Sequence, residues 1–309
     1  MILKYSLQRL LMIIPVSLAI SVVIFLIVHL LPGDPIDNLI RVGSSPEDRI
    51  ALSAKYGLDR SLIAQYFLWI GQVMTGDFGQ AIVLRRPVAD LIAQNLPYSL
   101  QLGGLAFLFS SIVGIILGIV AWASRNTWGE QLVKGFILLG STVPGFWLAL
   151  LMILLFAVNL GWFPVSGARD WTALVLPVLT IGFGGIALVA RVTRVALLEV
   201  GKQDFITLLH AKGLSRTAIL FRHLIPHALL PVVTILALRI GWILGGAVTV
   251  EFVFGRSGLG SLLIRALGQR DYPVVQGSLL MLALAVMIGT LIGDIAQAAM
   301  DPRIREATK

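Results

Sequence analysis

Apolar residues run in long blocks that are separated by short polar stretches. Each block is about 20 residues or longer, and at a helical rise of 1.5 Å per residue this length crosses a hydrocarbon layer about 30 Å thick. The blocks cover residues 10–31, 98–122, 135–160, 171–190, 228–250 and 274–300. The pattern therefore predicts an all-α integral membrane protein with six transmembrane helices.

The connection between the first two spans, residues 32–97, has mixed charge and contains signals for soluble helices. Ser45 is a candidate N-cap of a first helix, and Gly57 is a candidate stop. A second, amphipathic helix is predicted from Ser61 to Met74, ended by Gly76. We interpret 32–97 as an insertion on one side of the membrane that lies on or near its surface.

The polar stretch at 191–231 is the longest interruption of the apolar pattern in the second half of the chain. Its only acidic residues are Glu199 and Asp204. Its basic residues are Arg191, Arg194, Lys202, Lys212, Arg216 and Arg222. The lysines and arginines of the N-terminal lead and of the second loop fall on the same side of the membrane. The positive-inside rule therefore predicts that this side, with both termini, is cytoplasmic and that residues 32–97 are extracytoplasmic.

Within this stretch, apolar side chains recur at helical spacing. The four residues Phe205, Ile206, Leu208 and Leu209 predict one apolar stripe on an amphipathic helix from Asp204 to Lys212. Gly213 is predicted to end that helix in the left-handed conformation, and Ser215 to cap a second helix that runs towards Pro226. Such a helix either lies on lipid or fits a groove on a partner protein, and its periodicity leaves both alternatives open.

The composition narrows the classes of function. With 57% hydrophobic and 13% charged residues, the chain has more apolar surface than one soluble core hides. Cysteine is absent, which excludes disulfides and thiolate metal sites. The net charge of +8 lies beside the apolar spans, so it indicates membrane orientation and no nucleic-acid partner. No phosphate-binding loop is present, because Gly140–Gly145 is followed by Phe146 and not by lysine. We therefore expect no enzyme, no metal and no cofactor on this chain.

Two ionisable residues fall within the predicted spans, where a charge needs a physical reason. Arg239 lies about 13 residues past Pro226, roughly 20 Å into the membrane. It either lines a substrate path or forms a structural ion pair. Asp294 lies nearer the cytoplasmic end, and a structural pair or cap is the favoured interpretation.

Glycines recur at four-residue spacing inside the spans, which allows close helix approach in lipid. The pairs are Gly114 and Gly118, Gly241 and Gly245, and Gly289 and Gly293. We favour packing within the chain over a specific dimer contact as the interpretation.

The polar stretch resembles the cytoplasmic EAA loop of ABC-type importer permeases. Thr207, Leu208 and Leu209 stand at the E-A-A positions, while Gly213 and Pro226 match the glycine and proline of the pattern. The acidic residue and the two alanines of the family pattern are not matched. The loop therefore has the spacing of the family with different side chains at the centre of its helix.

Further strings, spread over nearly the whole chain, are similar to those of the dipeptide and oligopeptide permease group. They are Leu31-Pro32-Gly33-Asp34-Pro35, Gly76-Asp77-Phe78-Gly79, Arg86-Pro87-Val88, Ala211-Lys212-Gly213-Leu214-Ser215, Glu251-Phe252-Val253-Phe254, Gly258-Leu259-Gly260, Arg270-Asp271-Tyr272-Pro273 and Asp301-Pro302-Arg303-Ile304-Arg305. The resemblance implies the type I importer architecture, as a single permease domain over 1–309 in the bacterial inner membrane. It also implies a second homologous permease, two ATPase subunits that bind ATP and Mg, and an extracytoplasmic substrate-binding protein.

By that resemblance, the loop at 199–226 couples ATP hydrolysis to transport by alternating access. The residues expected to contact the ATPase are Asp204, Phe205, Thr207, Leu208, Leu209, His210, Lys212, Gly213 and Pro226. Arg239 is the candidate for the translocation path. The alternative is a passive channel or membrane scaffold whose amphipathic loop rests on lipid.

Overall fold

The computed structural model describes residues 2–30, 46–55, 59–167, 170–242 and 245–300, and within these ranges the chain is helical without a β-strand. The helices are α1 (Ile2–Leu30), α2 (Pro46–Lys55), α3 (Leu62–Met74), α4 (Val88–Ala123), α5 (Trp128–Thr142), α6 (Gly145–Met152), α7 (Thr172–Val200), α8 (Asp204–Ala211), α9 (Arg216–Ile219), α10 (Ile225–Ile240), α11 (Ala247–Val253), α12 (Leu259–Gly268) and α13 (Tyr272–Met300). Two π-helical segments, Ile153–Asn159 and Leu220–Leu224, extend α6 and join α9 to α10. The predicted cap at Ser45 and stop at Gly57 lie outside the described residues, as do the strings at 31–35 and 301–305.

In the described ranges, five helices are long and apolar enough to cross a membrane. They are Ser6–Leu30, Val88–Ala123, Thr172–Val200, Arg216–Ile240 and Tyr272–Ala298. The helices Trp128–Thr142 and Gly145–Asn159 pass the same test together and are bent by 109° where Pro144 precedes α6. Counted as one broken span, this pair is the third of the six spans predicted from the sequence.

Two helix boundaries differ from those of the predicted spans. The helix α4 begins at Val88 and continues through Pro97, so the last ten residues of the predicted 32–97 insertion are helical and continuous with the second span. Its polar first turns lower the hydropathy, yet Asn95 donates back to the Leu91 carbonyl at 2.8 Å and the helix is unbroken. The fifth span ends at Ile240, and α11 is a separate helix after it.

The glycines within the spans pack against neighbouring helices of the same chain. Gly114 and Gly118 of α4 face Val189 and Thr193 of α7, and a Cβ at Gly118 would lie 2.8 Å from the Ala190 carbonyl oxygen. Gly289 and Gly293 lie against the backbone of α10 at Ile240 and Ala237, and Gly241 packs beside Thr290. These contacts confirm packing within the chain, except at Gly245, whose neighbours all belong to Trp242.

The segment before α4 is held to the start of α13 by one buried carboxylate. Asp271 accepts hydrogen bonds from the backbone N–H of Ile82 at 3.1 Å and of Val83 at 2.9 Å. Tyr272 and Val274 belong to an apolar cluster with Val88 of α4 and with residues of α12. The first part of the chain is therefore part of the same folded body as the last two helices.

Candidate functional site

The predicted helix-turn-helix after the fourth span is present. α8 begins directly after a tight turn in which Gln203 donates to the Val200 carbonyl at 3.1 Å, and Asp204 places an acid in its first turn. At its end, Gly213 has φ +78°, its N–H donates to His210 at 2.9 Å, and Leu214 donates to Leu209 at 3.3 Å. These two bonds form a Schellman motif, so the predicted left-handed stop at Gly213 is confirmed.

The second helix of the pair starts where the sequence predicts. The Ser215 hydroxyl accepts the Ala218 N–H at 3.2 Å and so caps α9. From Arg216 the helix continues through the π-helical segment into α10 and ends at Ile240. The loop and the fifth span are therefore one continuous helical element.

The prediction of a single apolar stripe on α8 is wrong. Ile206 is only 5% exposed and packs in a cluster with Leu197, Val200, Ile219 and Leu224. Phe205 and Leu209 pack against the same cluster. Leu208 is 54% exposed on the outer side, because residues two apart on a helix lie about 160° from each other around its axis.

The outer surface of α8, which we call the α8 face, is formed by Asp204, Thr207, Leu208, His210 and Lys212, all of which are exposed. Leu208 is its only large apolar side chain. His210 and Ile206 are linked by a 2.9 Å hydrogen bond between the imidazole Nδ1 and the carbonyl oxygen.

The remaining predicted coupling residues divide between the two sides of the loop. Phe205 lies 5.2 Å from the His227 ring, between ring centroids, so it joins α8 to α10. Leu209 is half-buried with it, and Pro226 is exposed in the first turn of α10. The predicted coupling residues on α8 therefore fall into two groups. One group is exposed on the α8 face, and the other packs against the neighbouring helices and holds α8 in place.

A buried carboxylate next to this loop was missed by the sequence analysis. Glu130 in the first turn of α5 accepts the Asn126 N–H at 2.7 Å, contacts Lys134 Nζ at 2.9 Å and receives a hydrogen bond from Arg194 Nη2. It thereby ties α5 to α7 one and a half turns before α7 ends. The spacing of Glu130 and Lys134 is the only sequence signal for it, since the partner on α7 is 64 residues away.

A second buried polar group lies after the fifth span. Glu251 of α11 accepts hydrogen bonds from Ser99 of α4 at 2.6 Å and from the Gly260 N–H at 2.9 Å, at the start of α12. Arg256 is fully buried and donates to Gln101 of α4 at 3.0 Å. These bonds hold the α11–α12 pair against α4 through side chains that hydropathy does not identify.

The two charged residues in the spans have different surroundings. Arg239 is half-buried against α4, where its guanidinium donates to Ser110 at 3.3 Å and lies 6.0 Å from the centre of the Phe107 ring. No carboxylate pairs with it among the described residues. Asp294 instead forms an ion pair with Arg9 of α1 at 3.4 Å, which confirms the predicted structural pair there.

The chain matches two families along almost its whole length. The family described as "Binding-protein-dependent transport system inner membrane component" matches residues 110–306, and its N-terminal companion, "Binding-prot-dependent transport system membrane comp, N-term", matches residues 2–103. The chain belongs to this family of membrane components. It is therefore a multi-pass permease subunit of an ABC importer in the bacterial inner membrane, and ATP is hydrolysed on separate subunits.

Relatives of the permease are similar over their full length. It is 38% identical over 303 residues to the glutathione transport system permease protein GsiC of Escherichia coli strain K12, covering 98% of this chain and 99% of that one. It is 39% identical over 304 residues to GsiC of Salmonella typhimurium, with the same coverage. These identities support an importer permease of the peptide type.

Solved structures share the fold of the permease. A chain of the MetNI methionine ABC transporter in an inward facing conformation superposes with a TM-score of 0.56 at 19% identity, covering 68% of this chain and 96% of that one. A chain of an amino acid ABC transporter crystallised with histidines gives a TM-score of 0.53 at 16% identity, with coverage of 69% and 94%. The type I importer architecture expected from the sequence is confirmed.

Proposed function

We propose that this permease pairs with a second homologous permease, and that the two form a path for peptides that works by alternating access. Two ATPase subunits that bind ATP and Mg drive the pair, and an extracytoplasmic binding protein delivers the substrate. Residues 1–309 form one permease domain with both termini in the cytoplasm. In this arrangement the loop at 199–226 is the cytoplasmic coupling element, and the connection that follows α1 is extracytoplasmic.

The division of α8 into an anchored side and an outer face carries this proposal. Ile206, Phe205 and Leu209 fix the helix to the ends of α7 and α10, so a force on the outer face reaches two spans directly. The α8 face offers one apolar side chain among polar ones, as a helix that enters a protein groove does. Coupling requires that this contact differ between the two ATPase states, since equal binding in both shifts no equilibrium.

The same division argues against a loop that rests on lipid. A helix that lies in the membrane interface buries a broad apolar face in the acyl region. Here three of the four large apolar residues of α8 point into the protein, and only Leu208 remains outside. One leucine next to Asp204 and Thr207 gives little membrane affinity.

An ATP-dependence measurement in proteoliposomes tests the proposal. The permease is reconstituted with its partner permease, the ATPases and the binding protein, and uptake of radiolabelled glutathione and of di- and tripeptides is followed. We expect accumulation against a gradient that requires ATP and the binding protein. Equilibration of substrate by the permeases alone, unchanged by ATP, would instead identify a passive channel.

For the substrate, we propose that the permease carries peptides with free carboxylates. Two of its full-length relatives are named for glutathione. Arg239 supplies the supporting observation, because it is a cation within a span that has a hydroxyl and a ring as neighbours and no paired carboxylate among the described residues. An arginine in that position attracts a carboxylate that passes through the membrane.

Two substitutions separate this role from a structural one. Arg239→Lys keeps the charge, whereas Arg239→Gln removes it and keeps a donor for Ser110. We expect Arg239→Gln to lower uptake of a peptide with a free carboxylate several-fold more than uptake of the same peptide as its amide, with Arg239→Lys close to wild type. Equal loss for both substrates in Arg239→Gln would show that Arg239 only supports the fold.

A further inference from the structure

The helix α3 has properties that a soluble connection does not require. It is 13 residues long, contains no charged side chain, and at about 20 Å is too short to cross the membrane. Its ends are well defined, because Ser61 caps the first turn through the Ala64 N–H at 3.4 Å and Gly76 follows with φ +85°. The helix is therefore a stable element that needs a surface on each side.

Two polar side chains of α3, Gln65 and Tyr66, contact α1. The Tyr66 hydroxyl lies 3.0 Å from Ser21 Oγ, and Gln65 Oε1 lies 3.0 Å from His29 Nε2. The ring of Phe25 fits between them, 5.5 Å from the Tyr66 ring. On a helix exposed to water these polar side chains would face solvent, whereas here they pack against α1.

The opposite side of α3 is apolar and uncovered. Ile63 is 72% exposed, Phe67 is 66% exposed and Met74 is 81% exposed, and all three fall within about 40° of one another around the helix. A contiguous apolar surface of this kind on a soluble protein marks an interaction site. The helix α3 therefore turns polar side chains towards the protein and apolar side chains outward, which is the reverse of the arrangement in a helix on the surface of a soluble protein.

The depth of α3 identifies what covers this surface. Its contacts on α1 extend from His29, next to the end of α1 at Leu30, to Ser21, nine residues before that end, so α3 packs along roughly the last 13 Å of the spanning helix. The same part of α1 exposes Val22 and Leu26, the side chains of a span that faces acyl chains. The apolar side of α3 therefore continues the lipid-facing surface of α1.

We propose that α3 lies inside the hydrocarbon region of the leaflet nearest Leu30, with Ile63, Phe67 and Met74 against lipid acyl chains. A protein partner is a poorer match, because these three side chains offer no hydrogen-bonding group to orient one. The backbone of α3 is satisfied within the helix, as the hydrocarbon layer demands. The segment between α3 and α4 contains Ile82 and Val83, which are hydrogen-bonded to Asp271. This segment is then anchored by α3 in the membrane as well as by α13. The inference does not depend on the proposed substrate or on coupling.

Single-cysteine labelling tests the proposal, because the chain contains no cysteine. Phe67→Cys and Gln72→Cys are each labelled with a nitroxide in the complete permease in lipid nanodiscs. Both positions are exposed, and Gln72 lies about 140° around the helix from Phe67, which makes it the matched control. Accessibility is measured to oxygen, which concentrates in lipid, and to a water-soluble nickel chelate.

We expect the label at 67 to be reached by oxygen and protected from nickel, with an oxygen-to-nickel ratio several-fold above that at 72. Equal nickel access at both positions would place the apolar side in water and overturn the proposal. Protection of position 67 from both reagents would show that a protein covers it, which also overturns the proposal. Neither result bears on ATP-driven uptake, so failure here is distinguishable from failure of the proposed function.

Discussion

Substitution of Leu208 tests whether the ATPase binds the permease through the α8 face. Full burial of a leucine side chain contributes about 1.5–3 kcal/mol. Because Leu208 is 54% exposed, a groove that covers the remainder gains about 1 to 1.5 kcal/mol, or roughly five- to tenfold in affinity. We expect Leu208→Ala to weaken binding of the ATPase to the permease by that factor and to leave the folding of the permease unchanged.

Ile206 is the matched control two residues away. It is almost fully buried, so Ile206→Ala removes packing from the loop cluster and costs about 2–5 kcal/mol of folding free energy. We expect this variant to lower the thermal unfolding temperature in detergent, whereas Leu208→Ala keeps it.

The assay is titration of fluorescent ATPase onto permeases in nanodiscs, together with unfolding of each permease alone. Binding of the ATPase to Leu208→Ala as tight as to wild type would exclude an apolar contact at Leu208. A fall in the unfolding temperature of Leu208→Ala as large as that of Ile206→Ala would show that the exposed side chain belongs to the core. Loss of affinity that disappears at high salt would point to charged residues instead of the apolar contact.

Gly213→Val forces a branched side chain into a left-handed turn at a cost of about 1–2 kcal/mol, so we expect more ATP hydrolysed per substrate transported, while Gly213→Asn, which tolerates that turn, stays close to wild type. Gly118→Ala presses a methyl group onto α7 and is expected to destabilise by about 1–3 kcal/mol. By contrast, Gly104→Ala on the same helix meets no neighbour within 4 Å and is expected to be neutral or stabilising in thermal unfolding, by up to about 1 kcal/mol. Removal of the Glu130 carboxylate by Glu130→Ala leaves the guanidinium of Arg194 without its ion-pair partner, and we expect a lower unfolding temperature in the same assay.

A specific result would contradict the expectation for Gly213, for the pair Gly118 and Gly104, and for Glu130. Unchanged coupling in Gly213→Val would show that the turn conformation is unimportant, since no neighbouring atom lies close enough to clash. Equal stability of the Gly118 and Gly104 variants would remove close helix approach as the reason for glycine. An unaltered unfolding temperature in Glu130→Ala, with Glu130→Gln as the isosteric control, would show that the carboxylate is hydrated.

The local features of the loop were predictable because they depend on neighbours in sequence. Gly213 follows the amphipathic segment and ends α8, and Ser215 directly precedes α9 and caps it. The number of spans follows from hydropathy in the same way. Periodicity does not say which side of α8 the protein covers. The side is decided by the two turns that fold α8 back against the end of α7 and the start of α10, and these turns bury Ile206 and leave Leu208 outside.

Other features were not predictable because they depend on pairing across the fold. The break at Pro144 leaves hydropathy unchanged, so the third span reads as one continuous helix in the sequence. The helix α4 begins ten residues before the apolar block that predicts the second span, because its first turns are polar and lower the hydropathy there. Glu130 and Glu251 are ordinary acidic residues in the sequence, and only their partners on α7 and α4 explain their burial.

The unbroken helix from Arg216 to Ile240 has a mechanical consequence. With 25 residues it is about 37 Å long and contains no glycine, and Pro231 and the π-helical segment Leu220–Leu224 are places where it can bend. A tilt of about 5° at its cytoplasmic end displaces the far end by about 3 Å if the helix stays rigid. Arg239 lies at that far end, against α4. In the proposed coupling, a push on α8 would therefore move the Arg239 side chain sideways, with the helix acting as a lever.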